Sequence, residues 1–139
     1  MRILAVDLGG VRTGLAVCDA AEMLASPAGV IVERNREQLA QKVAQEAERL
    51  AAEEIVLGLP RNMDGSEGES AQGARAFADL LAQASGLKVV LRDERGTTLT
   101  AHGYLNQTNT RGKKRKAVVD SVAATVILQD YLDFRRKMR

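Results

Sequence analysis

The chain has 139 residues (15.0 kDa), 45% apolar and 27% charged, with two Tyr, two Phe and a net charge of +2. That length carries one domain with one ordinary core, and the apolar content excludes a disordered chain. No apolar run approaches the ~18 residues of a membrane span, and Asp7 comes too early for a secretory signal, so a cytoplasmic protein is expected.

Ile3 to Leu8 reads as a short buried strand broken by Gly9-Gly10, and Leu15 to Cys18, after Gly14, as its hairpin partner. Gly29 to Glu33 is a third strand. Leu39, Val43, Ala47 and Leu50 recur at helical spacing and predict an amphipathic helix over 36–52. Glu54 to Leu59 is a fourth strand stopped by Pro60, and the polar, glycine-rich stretch 61–68 is a loop. Ala74, Phe77, Ala78, Leu81 and Ala84 predict a second helix ending near Gly86. Lys88 to Arg92 is a fifth strand running into Asp93-Glu94. A short helix over 101–105, a basic loop over 106–116 and a last helix from Ala117 to Phe134 complete the chain.

An opening hairpin is antiparallel, while strands alternating with helices require parallel crossovers. The expectation is an α/β, ribonuclease H-like fold: a mixed five-stranded sheet in the order βββαβαβα, with helices on both faces and residues 1–139 as one domain. The small net charge hides an asymmetry. Residues 1–92 carry 10 basic and 13 acidic side chains, residues 93–139 carry 10 basic and 5 acidic. A basic C-terminal third points to an anionic partner.

Asp7 ends an apolar strand and by alternation shares a face with Ile3 and Ala5. It is either a turn residue before Gly9 or a functional acid at the carboxyl edge, where open α/β sheets bind ligands. Asp93-Glu94 closes the fifth strand in the same way, and of these two only one can readily join Asp7. Asp120 opens a helical stripe continued by Ala123, Ala124 and Ile127. An acid along that stripe is costly unless a cation or donor meets it. It is either a partner of the helix dipole or a metal ligand shared with Asp7 and Glu94. Three converging carboxylates suit Mg²⁺ or Mn²⁺, and two such ions would serve phosphodiester cleavage. One Cys and one His, His102, disfavour zinc, and no Gly-x-Ser-x-Gly elbow is present. Arg111, Lys113, Lys114, Arg115 and Lys116 form a cluster able to neutralise several phosphates, or a solvated charge run. Arg135, Arg136, Lys137 and Arg139 form a second basic patch, and the scarcity of aromatics favours backbone contact over base stacking.

Together these motifs resemble the YqgF/RuvX family of Holliday-junction-resolvase-like proteins over nearly the whole chain. The resemblance is carried by Asp7-Leu8-Gly9-Gly10-Val11-Arg12-Thr13-Gly14 with Asp19, and by Gly58-Leu59-Pro60-Arg61-Asn62-Met63-Asp64-Gly65-Ser66. It continues in Asp93-Glu94-Arg95-Gly96-Thr97-Thr98 and in Lys116 to Leu128 around Asp120. It implies a metal-dependent nuclease using Mg²⁺ or Mn²⁺, cytoplasmic, maturing the 5′ end of 16S rRNA precursor, with Asp7, Glu94 and Asp120 as catalytic, metal-binding acids. Arg12, Arg95 and the 111–116 cluster would hold phosphates. Gly96 stands where the family usually has an apolar residue, and Cys18 where serine is common. Resolvases of the wider superfamily carry their middle glutamate after the fourth strand. This chain has Gly58-Leu59-Pro60 there, so Glu94 substitutes from the next strand, with Asp93 as the alternative. Two other functions compete: a branched-DNA resolvase, which a dimer with opposed acidic edges would support, and a non-catalytic ribosome- or RNA-binding factor. The chain is expected to act as a monomer or homodimer.

Overall fold

The computed structural model describes residues 1–60, 68–93 and 112–138. The elements run β1 (Ile3–Asp7), β2 (Arg12–Cys18), β3 (Ala25–Val32), α1 (Arg36–Arg49), β4 (Glu54–Leu59), α2 (Glu69–Ser85), β5 (Lys88–Asp93) and α3 (Gly112–Lys137). They form one five-stranded sheet of order β3-β2-β1-β4-β5. β1 pairs antiparallel with β2 and parallel with β4, and β4 pairs parallel with β5. The mixed sheet with helices on both faces is thus as the element order predicts.

β1 lies at the centre, and Ile3, Leu4, Ala5 and Val6 are fully buried. Burial on both faces is why β1 and β4 read as continuous apolar runs rather than alternating ones. Leu4, Val6, Leu15, Ile55 and Leu57 pack with Leu39, Val43, Phe77 and Leu81 of α1 and α2. Ile3, Ala5, Ala16, Cys18 and Val56 pack instead with Ala124, Ile127, Leu128 and Leu132 of α3. Cys18 is a buried free thiol, and burial raises its pKa.

Local signals explain the ends. Asn35 caps α1, its side chain accepting from the Gln38 amide at 2.9 Å, and Gly86 closes α2 in the left-handed conformation at φ 71°. Several boundaries differ from the sequence reading: β2 begins at Arg12 rather than Leu15, and α1 ends at Arg49 rather than 52. β3 begins at Ala25 and runs through Pro27, which is tolerated because β3 is an edge strand. α3 begins at Gly112, so Lys113 to Lys116 are helical and not loop. The short helix expected over 101–105 lies outside the described residues. Among the described residues no helix is long and apolar enough to cross a membrane.

Candidate active site

Asp7 is the last residue of β1 and half-buried. Its neighbour across the antiparallel pair is Gly14, which has no side chain to cover the carboxylate. Directly opposite residues share a face and alternate residues return to it, so Gly14 and Arg12 stand on Asp7's side of the sheet. Ile3, Ala5 and Ala16 mark that side as the one α3 covers.

The turn from β1 to β2 is closely specified. A Cβ on Gly9 would lie 1.9 Å from the Arg12 carbonyl oxygen, so only glycine fits. The Gly9 amide donates to Thr13 Oγ1 at 3.4 Å, and its carbonyl accepts from Arg36 Nη1 at 2.9 Å. The first residue of α1 therefore holds the turn that follows Asp7. Sequence reasoning missed Arg36, because nothing local links residues 27 positions apart.

α3 runs antiparallel to β1. Near its C-terminus the Tyr131 hydroxyl donates to Glu54 at the start of β4, at 2.8 Å. Further back, Ala25 at the start of β3 donates to Gln129, at 3.2 Å, and Ser121 Oγ donates to the Gly29 carbonyl at 3.3 Å. Gly29 pairs with Leu15, which pairs with Val6. Ser121 thus sits at the level of Val6, and the preceding helix position, Asp120, falls at the carboxyl edge that Asp7 occupies. Position 120 is also in helical register with Ala123, Ala124 and Ile127, all buried. It is the ninth residue of α3 rather than one of its first turn. A dipole contribution decays within the first turn, so that alternative for Asp120 loses its basis.

Strand parity separates the two acids at the end of β5. Val89 and Leu91 pack on the α1–α2 core and Val90 on the α3 core. Arg92 turns to α3, pairing with Asp130 at 2.9 Å and lying 4.5 Å from the Phe134 ring centre. Alternation then puts Asp93 on the face away from Asp7. Glu94, Arg95 and Arg111 lie outside the described residues. Lys113, Lys114, Arg115 and Lys116 occupy the first turns of α3, and that helix has no acid in its first turn.

The opposite end of α3 behaves differently. Arg135 binds Glu22 at 2.6 Å and approaches Glu54 at 3.9 Å, and Arg136 pairs with Asp133. The expected second basic patch is therefore partly consumed within the protein. Glu22 is 5% exposed, with a backbone φ of +58°. The Arg135 guanidinium holds its carboxyl down at about 2. Burial, and then Glu54, raise the Tyr131 hydroxyl's pKa.

The fold and this edge define a class: a ribonuclease H-like α/β domain, shared with solved resolvases. The chain is similar to Thermus thermophilus RuvC, with TM-score 0.58 and 15% identity over 99% of this chain and 97% of the other. It is equally similar to a Fowlpox virus resolvase solved with Holliday junction DNA, with TM-score 0.58 and 15% identity over 97% and 99%. At the level of sequence, the RuvX family, described as Holliday junction resolvase, matches residues 1–134. The chain belongs to that family of nucleic-acid hydrolases. Relatives named as candidate pre-16S rRNA nucleases include one from Halothermothrix orenii, 38% identical over 99% of both chains. Another, from an Anaeromyxobacter species, is 44% identical over 97% of this chain and 98% of the relative.

Proposed function

We propose that residues 1–139 form a single metal-dependent nuclease domain that cleaves phosphodiester bonds in precursor 16S rRNA, in the cytoplasm. The observation that carries this reading is the register of α3, which brings the Asp120 position to the level of Asp7 on one face of the sheet. Asp7, Asp120 and Glu94 form the acidic set. The parity of β5 supports Glu94 over Asp93, because Asp93 falls on the wrong face.

The chemistry of these donors, three carboxylates, fits Mg²⁺ or Mn²⁺, and β2 offers no side chain opposite Asp7. Among the described residues no three candidate ligands gather, and of the proposed set only Asp7 has a described side chain. Bound there, a pair of such ions would polarise the scissile phosphate and lower the pKa of an attacking water. The chain's own residues supply position. Asp7 and Asp120 hold the charge that the metal neutralises. Arg12, on Asp7's face, and Arg95 orient the backbone, and Arg111, Lys113, Lys114, Arg115 and Lys116 draw in phosphates. Cations in the first turns of a helix oppose its dipole at ~0.3–1 kcal/mol each. Their placement beside the acidic edge is therefore unfavourable for folding and favourable for an anionic substrate.

The description of the family as Holliday junction resolvase favours a second reading, cleavage of branched DNA. A homodimer with two opposed acidic edges belongs to that reading, a monomer to the first. The test offers the protein a precursor 16S rRNA 5′ segment and a four-way DNA junction, each with Mg²⁺ or Mn²⁺. Metal-dependent cleavage of the RNA, lost in Asp7→Asn and Asp120→Asn with folding intact, is the expected result. Cleavage of the junction alone supports the second reading. No cleavage of either, or full activity in both variants, overturns the nuclease assignment in favour of a binding factor.

A further inference from the structure

On the other side of the same edge lies a cavity of about 300 Å³, at the lower end of the range of small-molecule sites. It opens beside the β1–β2 turn, because Leu8 follows Leu4 and Val6 onto the α1–α2 face. Leu8, Pro60 and Ala74 give it apolar walls, and Arg36 and Glu69 its charged groups. Glu69 and Gly73, one turn apart on α2, stand on the same side of that helix and both line the cavity. A Cβ on Gly73 would meet nothing within 4 Å. Glycine inside a helix costs about 1 kcal/mol against alanine, and among the described residues no close neighbour demands it here. The missing side chain leaves the cavity open.

Apolar walls with one guanidinium and one carboxylate match the apolar face and polar edges of a nucleobase. An isolated phosphate fits less well, since Glu69 would repel it. Among the bases, guanine alone presents two adjacent donors, N1–H and the exocyclic amine, to a carboxylate, while its O6 and N7 accept from a guanidinium. Arg36 gives one N–H to the Gly9 carbonyl and has five in all. We propose that this cavity takes an unstacked guanine base of the bound nucleic-acid strand, with Glu69 and Arg36 reading its two polar edges. The proposal rests on the nuclease reading for the presence of the strand. It adds a sequence preference set on the far side of the sheet from the acids.

The test is a titration of the full chain with free nucleosides, followed through the backbone amide resonances of Gly9, Gly10 and Gly73. Guanosine is expected to shift all three, and adenosine, cytidine and uridine to bind about tenfold more weakly. Gly73→Leu, which fills the cavity, abolishes the response. Glu69→Gln weakens guanosine about tenfold with the helix intact and keeps the test open if Gly73→Leu misfolds. Equal shifts from all nucleosides, no shift from any, an equal response to inorganic phosphate, or an unchanged response in Gly73→Leu overturns the proposal. Asp7→Asn separates the two claims. It retains guanosine binding if the cavity is right, whatever becomes of cleavage, whereas cleavage without a guanosine response removes the cavity alone.

Discussion

At the amino-terminal edge of the sheet the protein closes its buried carboxylates with its own groups. Glu22 is bound by Arg135, and Glu54 by the Tyr131 hydroxyl with Arg135 nearby. At the carboxyl edge the surroundings of Asp7 are built the other way. Gly14 lies opposite, Gly58 follows Leu57, the partner of Val6, and the turn beyond is drawn tight at Gly9, whose Cβ would meet the Arg12 carbonyl oxygen. One helix spans both ends, its C-terminal Arg135 anchored internally and its first residues at the level of the carboxyl edge. A buried carboxylate matched by its own chain's cations stabilises a fold, whereas the strand positions flanking Asp7 carry glycine. The anchored end also sets the register that brings position 120 level with Asp7.

The largest effect should come at the open edge. Asp7→Asn is expected to lower metal-dependent cleavage by about 10³-fold or more, as loss of a metal-holding, charge-stabilising group does. Its thermal unfolding should remain cooperative, which calorimetry checks. Arg135→Met makes the opposite pair of changes. It leaves Glu22 buried without its main cation and should cost about 3 kcal/mol in chemical denaturation. Much of that loss should return in Arg135→Met/Glu22→Gln, because the two residues act as one unit.

Acid tests the closed edge without a mutation. The Glu22 carboxyl is lowered to about 2 from an ordinary 4.5, so the folded state favours its ionised form. The stability it contributes is complete above about pH 4.5 and is lost as pH falls towards 2, an effect on the order of 2 kcal/mol. Denaturation midpoints measured between pH 7 and pH 2.5 should fall less steeply in Glu22→Gln than in the parent. Next in size is a contrast within the turn itself. Gly9→Ala drives a methyl into the Arg12 carbonyl and should cost about 1–3 kcal/mol together with cleavage. Gly10→Ala, whose Cβ meets nothing within 4 Å, should leave both within about 0.5 kcal/mol and twofold.

What was legible in the chain follows from how local its causes are. β4 was readable to the residue because a fully buried strand is an uninterrupted apolar run. β3 was read as starting too late, since Ser26-Pro27-Ala28 looks like punctuation until the sheet order makes it an edge. The start of α3 was missed for an electrostatic reason. Lys113 to Lys116 has no apolar period, and cations suit a helix N-terminus poorly, so the stretch resembles a loop. That error carried over to Asp120, which looked like a first-turn acid and stands instead two turns deeper. Asp7 was legible as the acid ending an apolar strand. The Arg36 contact to Gly9 and the Arg135 pair with Glu22 depend on tertiary proximity, and no local pattern encodes them, whereas Asp133 and Arg136 are an i,i+3 pair on one helix.

The smallest predicted effect bears most directly on the acidic set. Asp93 and Glu94 are chemically near-equivalent neighbours, and sequence alone left either able to join Asp7. Arg92 reaches Asp130 and Phe134 on α3, while Leu91 packs against α1 and α2, so the faces of β5 are assigned by contacts and not by pattern alone. Asp93, following Arg92, projects to the α1–α2 side, across the sheet from Asp7. Asp93→Asn should therefore change metal-dependent cleavage by less than about twofold, while Glu94→Gln lowers it as Asp7→Asn does. The two variants remove the same charge one residue apart, so bulk electrostatics and phosphate repulsion change alike. A loss confined to Glu94→Gln would then reflect which face each carboxylate occupies. A loss of similar size in Asp93→Asn would mean that β5 does not keep its alternation at its last residue, and would move the ligand assignment to Asp93.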